Sequence, residues 1–328
     1  MALARYDVGR FVVKRMQALI LNDQKQLAVQ SVPMPMVRRG YVLVKIQAAG
    51  IGGSEYQTLQ RVGVRPLPHI MGHSISGTTQ QGRRITVYPL QGCQQCSYCD
   101  DEQMQLCEQW SLIGVHSDGG LAQYIAVPES VLVPLPENMP WEKTVWIEPF
   151  ANALNAWEVS GANQKSRVAI LGAGSIGLGL TARAGELGCR MIHVCDLSSQ
   201  RLAAATSLGA HHAATALMGS YDVVFDTIGS HESRQMAIDL ATKNGCCVFI
   251  GFADTMQSVD MARCIREQKQ LRGAFVFNRQ QFNDAIRLVQ RCRIEWVTSL
   301  SLDEVENQLR NYLAGNFSVV KAAVFPNG

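Results

Sequence analysis

Val168-Ala169-Ile170-Leu171-Gly172-Ala173-Gly174-Ser175-Ile176-Gly177 is the stretch that decides the fold. Four apolar residues run into G-x-G-x-x-G, and a helical pattern, GLGLTARAGELG, continues from Gly177. A glycine triplet alone is weak evidence. Here a strand precedes it, a helix follows, and the next strand, RMIHVCDLS, ends on an acid, Asp196, which is the context a dinucleotide fingerprint requires. Gly172 permits the tight turn, Gly174 lets the backbone approach a pyrophosphate, and Gly177 lets the helix sit close to the sheet. Ser175 and Ile176 open the helix, whose N-terminus offers unpaired N–H groups and partial positive charge to phosphates. Asp196 can accept hydrogen bonds from both ribose hydroxyls and would repel a 2′-phosphate, so NAD is expected over NADP. Arg201 stands near this acid and is assigned to the cofactor site. Because the acid is retained, it is not read as a phosphate clamp.

The same rhythm extends outward. From about Ser166 onward, apolar strands alternate with helical patterns, through YDVVFDTIGS (221–230) and GCCVFIGFAD (245–254). Such alternation means a parallel sheet wound in βαβ units. Before Ser166 the pattern differs. MQALILND (16–23), YVLVKIQAAG (41–50), RRITVYPL (83–90) and LAQYIAVPES (121–130) read as strands bounded by turn residues, and so as a mostly β domain. The chain ends with a helical segment, SLDEVENQLRNYLAG (301–315), and a short strand, VVKAAVFP (319–326). The fold class is α/β, with expected units of 1–157, 158–295 and a C-terminal return over 296–328.

Composition narrows the function classes. In 328 residues, 47% are hydrophobic, 17% are charged and the net charge is +3, with no basic run. Neither nucleic acid nor an anionic membrane surface is an expected partner. No apolar run approaches the ~18 residues of a membrane span. The first fifteen residues lack a secretory apolar core and read as an N-terminal extension without an assigned role. The expected compartment is the cytoplasm. Of ten cysteines, six are dispersed among apolar or small neighbours and read as free buried residues. The other four, Cys93, Cys96, Cys99 and Cys107, cluster in a polar loop. Four thiolates at this spacing can close a tetrahedron around Zn²⁺. A site closed by protein ligands is structural rather than catalytic. Redox thiols are the weaker alternative.

Together these features resemble the medium-chain dehydrogenase/reductase family, in particular its zinc-type alcohol and polyol dehydrogenases. The supporting segments are VLVKIQAAGIGGS, IMGHSISG, the cysteine lobe, SDGGLAQYIAVP, WIEPFANAL, YDVVFDTIGS and SVVKAAVFP. The resemblance implies a GroES-like catalytic domain, a Rossmann domain, an active site in the cleft between them, and a homodimer or homotetramer. It also implies catalytic positions at Ser54, the hydroxyl of the family's proton relay, and at His73 and Glu148, two of its catalytic zinc positions.

The departures carry information. Gly52 stands where the family has its first cysteine ligand, and Ser74 replaces the glutamate after the histidine. Glu55 replaces a supporting aspartate, and the segment between GHSISG and GRRITVYP is shorter than in that family. A catalytic zinc needs three protein ligands and an open position. His73 and Glu148 supply two, with Glu55 or His69 as conceivable recruits. The expectation is therefore NAD(H)-dependent hydride transfer on a small alcohol, carbonyl or polarised unsaturated molecule, with one structural zinc and no catalytic zinc. A zinc-dependent polyol dehydrogenase with a rebuilt metal site is one alternative, and a catalytically silent NAD-binding protein is another. Each catalytic candidate also has a purely structural reading: His73 as a packed histidine, Glu148 as an internal ion-pair partner, Ser54 as a helix cap.

Overall fold

The computed structural model describes residues 14–60, 63, 65–315 and 319–328. Most of the N-terminal extension lies outside the described residues, and Arg15 opens the first strand.

The central strand of the second sheet is Arg167–Leu171, whose last four side chains are all buried. An apolar run without alternation is what a parallel strand covered on both faces requires. Met191–Cys195 pairs with it on one side and Tyr221–Asp226 on the other. His212–Ala214 lies beyond the first, while Ala241–Phe249 and then Gln270–Gly273 lie beyond the second. Every pairing in this sheet is parallel. The strand order reverses at Arg167–Leu171, which creates a crevice at the carboxyl ends of the strands. The glycine turn follows that central strand directly, so it sits at the crevice.

The mostly β half is built on one long strand, Tyr41–Ile51. It pairs antiparallel with Ser74–Thr79, Tyr124–Pro128 and Lys321–Val324. Lys321–Val324 comes from the far end of the chain, and Val297–Leu300 pairs with it in parallel. The end of the chain thus returns to complete this sheet. Its core holds Ile46, Ile51, Ile75, Val87, Val127 and Val324. Full burial of side chains of this kind stabilises by roughly 1.5–3 kcal/mol each. The shortened segment is a tight hairpin. The Gly82 N–H donates to the Thr79 carbonyl at 2.9 Å, and Arg84–Val87 turns back along Ser74–Thr79.

Helix Ile147–Ser160 joins the halves. Phe150, Ala153, Leu154 and Trp157 belong to a core shared with the parallel sheet and with helix Ser175–Leu187. Its N-terminal turn carries Glu148. Among the described residues no helix is long and apolar enough to cross a membrane.

Candidate active site

The glycine turn has the shape the sequence implies. Gly172 has φ +93°, in the left-handed region that favours glycine. A Cβ on Gly177 would lie 1.8 Å from the Gly172 carbonyl oxygen, so only glycine closes this turn. A Cβ on Gly174, by contrast, would meet nothing within 4 Å. The protein itself leaves that space open. Gly174 caps helix Ser175–Leu187 without any side-chain hydrogen bond, which keeps the first-turn N–H groups of Ser175 and Ile176 available to an anion. Asp196 is held beside the turn, its carboxylate accepting the Ala173 N–H at 2.7 Å and the Ser198 N–H at 2.8 Å. A carboxylate has about four acceptor directions, so capacity for a ribose remains. Arg201 places Nη1 3.9 Å from Asp196 Oδ2, and its guanidinium lies 5.7 Å from the Tyr312 ring. Tyr312 in turn stacks on Tyr56 at 3.5 Å between centroids. This set fits a nicotinamide dinucleotide.

The four cysteines converge. Their Sγ atoms all lie within 4.8 Å of one another, and they form the one such group of three or more metal-ligating side chains among the described residues. Gly92 makes room for them, since a Cβ there would lie 2.6 Å from Cys99 Sγ. The N–H groups of Cys93 and Gln109 approach Cys107 Sγ at 3.4 and 3.3 Å. Led by the Cys93 N–H, these contacts hold the Cys107 thiol down at about 7, which favours thiolate. The lobe fits one structural zinc. The remaining cysteines are free. Cys189, Cys195, Cys246, Cys247 and Cys264 are buried, and Cys292 is half-buried.

In the cleft, Ser54, His73 and Glu148 come together, with Glu55 between the first two. Helix Gly53–Gln60 begins one residue before Ser54, so Ser54 lies in the first turn rather than at the cap. Its hydroxyl donates to Glu55 Oε2 at 3.0 Å, and the Gly52 N–H donates to the same oxygen at 2.8 Å. Glu55 Oε1 lies 2.8 Å from His73 Nδ1. This is an ion-pair contact at the Nδ1 edge of the ring. On the other edge of the ring, His73 Nε2 is 3.4 Å from Glu148 Oε2. Ser74 donates to that oxygen at 3.3 Å, and Asn152 donates to Glu148 Oε1 at 2.7 Å. The imidazole is thus clamped edge to edge by two carboxylates.

Burial pulls the His73 pKa down, but the charges of Glu55 and Glu148 outweigh it and hold the ring up at about 10. Burial likewise pushes Glu55 up, and the His73 charge, the Gly52 N–H and Lys321 together bring it down to about 2. Glu148 is lowered for the same reason, chiefly by His73 against its own burial. Each carboxyl is thus pulled toward its ionised form and the imidazole toward its protonated form.

His69 is not brought to this cluster. It is buried, with Nε2 3.1 Å from the Gly114 carbonyl oxygen and Nδ1 3.8 Å from Asp118. Two residues that the sequence reading missed do belong here. Asn152 sits one helical turn after Glu148, a spacing visible in the sequence. Lys321 is 4% exposed and stands in the returning strand, where its signal was a lone cation in an otherwise apolar run, VVKAAVFP.

A switch-point glycine turn, a four-thiolate lobe and a polar cluster between a GroES-like sheet and a doubly wound one define a two-domain zinc-type dehydrogenase. Residues 38–137 match the alcohol dehydrogenase GroES-like domain, and residues 175–291 match the zinc-binding dehydrogenase family. Together these cover well over half of the chain, which belongs to the medium-chain, zinc-type alcohol dehydrogenase family and is an oxidoreductase. Sorbitol dehydrogenase of Bacillus subtilis is 27% identical over 73% of this chain and 76% of its own length. Galactitol 1-phosphate 5-dehydrogenase of Escherichia coli K12 is 31% identical over 58% of this chain and 59% of its own. Among solved structures, the fold matches galactitol-1-phosphate dehydrogenase from Escherichia coli with a TM-score of 0.86, at 23% identity over 95% of this chain and all of that one. It also matches acetophenone reductase from Geotrichum candidum in complex with NAD, with a TM-score of 0.87, at 19% identity over 95% and 97%.

Proposed function

We propose that the chain transfers hydride between NAD(H) and a small alcohol, carbonyl or polarised unsaturated molecule, without a catalytic zinc. The observation that carries this reading is the short ligand count. His73 Nε2 and Glu148 Oε2, 3.4 Å apart, are two donors that could share one ion, but Glu55 lies on the opposite edge of the ring, Gly52 has no side chain to add and Ser74 is a poor zinc ligand. Tetrahedral zinc needs convergent donors. Polyol-acting relatives favour a small hydroxylated substrate or its carbonyl. Assembly as a homodimer or homotetramer in the cytoplasm is part of the same proposal, as are the domain limits 1–157, 158–295 and 296–328.

When bound, NAD(H) supplies or accepts the hydride. The chain's own residues handle the proton. In the reducing direction the Ser54 hydroxyl gives its proton to the substrate oxygen. It recovers one through Glu55 from the His73 imidazolium. Glu148, held by Asn152 and Ser74, keeps the ring oriented and charged, and the ring regains its proton from water. In the oxidising direction the protons run the other way. The test is turnover of NAD(H) with a panel of small alcohols, ketones and enones. Reduction or oxidation of at least one class is expected, and silence across the whole panel would favour a non-catalytic NAD-binding protein.

Cofactor choice follows from Asp196. Its carboxylate is fixed by two backbone N–H groups and would meet the 2′ position of a bound cofactor, where a phosphate would find like charge. Titration should show tighter binding of NADH than NADPH. Asp196→Ala should narrow the gap by removing both the repulsion and the ribose hydrogen bonds. Equal affinity of the native chain for both cofactors would refute the assignment.

A further inference from the structure

Arg65 is a cation that the proton path does not use. In the chain it lies between helix Gly53–Gln60 and strand His69–Ile70. That strand is stitched to the turn at 114–118: His69 Nε2 stands 3.1 Å from the Gly114 carbonyl oxygen, and the Ile70 N–H donates to Asp118 at 3.0 Å. Arg65 is half-buried, and its Nε is buried without a hydrogen-bond partner. Among the described residues no ion pair or hydrogen bond reaches its guanidinium. Glu55, the acid whose charge it feels, is engaged elsewhere. Its Oε2 accepts the Gly52 N–H and the Ser54 hydroxyl, and its Oε1 lies against His73. A half-buried guanidinium without an acceptor is costly, and an arriving acceptor would recover that cost.

A second donor stands on the same turn. The Leu112 N–H donates to His116 Nδ1 at 3.0 Å, so the proton of the neutral ring is on Nε2. Burial lowers the pKa of this ring, and the charge of Arg65 adds to that. Trp110 meets the ring edge to face at 4.8 Å between centroids, and meets Phe275 the same way at 5.1 Å. Phe275 follows strand Gln270–Gly273 at the carboxyl end of the parallel sheet. This aromatic row ties His116 to the cofactor crevice.

We infer that Arg65 and the Nε2–H of His116 receive an anionic group of the substrate, a carboxylate or a phosphate, at the end remote from the carbon that exchanges hydride. A guanidinium presents a planar fork of donors that grips two oxygens of either group, and the imidazole N–H can take a third contact. Ser54 lies in the first turn of the helix and Arg65 follows its end. A substrate spanning the two would present its oxygen to the Ser54 hydroxyl while its charge rests on the guanidinium. The inference rests on the proposed hydride transfer for the substrate itself. Its test reads binding in a complex that cannot turn over, so each can fail while the other stands.

The probes are glycerol, glycerate and glycerol 3-phosphate, which share a hydroxylated skeleton and differ in the charge at one end. Each is titrated by calorimetry into the full chain saturated with NADH, in which an alcohol cannot be oxidised and the phosphate-binding glycine turn is filled. At least one of the anions should bind about tenfold tighter than glycerol, the worth of one hydrogen bond to a charged group. Which anion gains separates carboxylate from phosphate. Arg65→Gln should bring both anions to the glycerol level and leave glycerol itself unchanged. Arg65→Lys, which keeps the charge without the fork, should retain part of the preference, and it carries the test should Arg65→Gln fold poorly by far-UV circular dichroism. His116→Phe, which keeps a ring against Trp110 and removes the Nε2–H, should weaken the anions alone. Equal binding of all three probes by the native chain, or none, would overturn the inference. An anion preference that survives intact in Arg65→Gln, or in Arg65→Lys where only that variant folds, would overturn it equally.

Discussion

Chelating the lobe zinc, or replacing Cys107 by serine, should take the metal content from about one ion per chain to near zero and open residues 93–109 to protease. The lobe has little else to hold it. Its short helix Ser97–Asp100 buries no residue, and Tyr98 and Leu106 are exposed. Structural zinc binding in small peptides is worth about 10–16 kcal/mol in apparent free energy, most of it folding energy. Cys107→Ser also removes the sulfur that the Cys93 and Gln109 N–H groups approach. The melting temperature should fall. The Rossmann half, whose core contains none of the four thiolates, should still bind NADH. Elemental analysis, limited proteolysis and a thermal melt check this together. A metal-free preparation that melts unchanged and resists cleavage in the lobe would remove zinc from the structural account.

His73→Ala should lower kcat by roughly 10²- to 10⁴-fold, the usual worth of acid–base assistance. It should also cost stability. Removing the imidazolium leaves Glu55 and Glu148 with less compensation, and breaking a buried ion pair from one side typically costs about 3–5 kcal/mol. Glu148→Gln separates the two effects, since it keeps the shape and removes one charge. It should reduce kcat with a smaller loss of stability. The pH dependence has a definite sign. The His73 pKa is raised, so its contribution is complete below the ordinary imidazole range and is lost as pH rises through about 10. The Glu55 pKa is lowered, so its contribution is present above the ordinary carboxyl range and is lost as pH falls toward about 2. The cluster's contribution to stability should therefore be level between the ordinary carboxyl and imidazole values, 4.5 and 6.5, and should decline from there through neutrality toward about 10. In His73→Ala the alkaline part of the loss attributable to this ring should disappear. A native chain whose His73 titrates at the ordinary imidazole value, about 6.5, by NMR would show that the clamp does not hold the proton.

Legibility in the sequence followed the range of the interactions. The glycine turn, the strand before it and Asp196 lie close together in the chain, and their chemistry is carried by spacing, so their arrangement could be read directly. The cysteine lobe is equally local. Ser54, His73 and Glu148 became visible through the family resemblance, because three separate elements bring them together and no periodicity relates them. What the sequence left open was how they meet. Glu55 was considered as a replacement metal ligand. In the fold it accepts the Gly52 N–H and the Ser54 hydroxyl and lies against the far edge of the His73 ring. His69, the other candidate recruit, is held by Gly114 and Asp118. Lys321 escaped notice because its neighbour, Gly52, lies near the opposite end of the chain. Only the antiparallel register of Lys321–Val324 on Tyr41–Ile51 places them side by side. A lone lysine in a buried strand was the available signal, and it has no meaning until the strand's neighbour is known.

The central claim, hydride transfer without a catalytic zinc, is tested most directly by turnover with NAD(H) in protein whose zinc content is held at one ion per chain by mild chelation that spares the lobe, then measured again with added zinc. The predicted result is the same rate under both conditions, with no second ion retained. Activity that vanishes on chelation while the lobe zinc remains, and returns as a second zinc binds at His73 and Glu148, would contradict the claim.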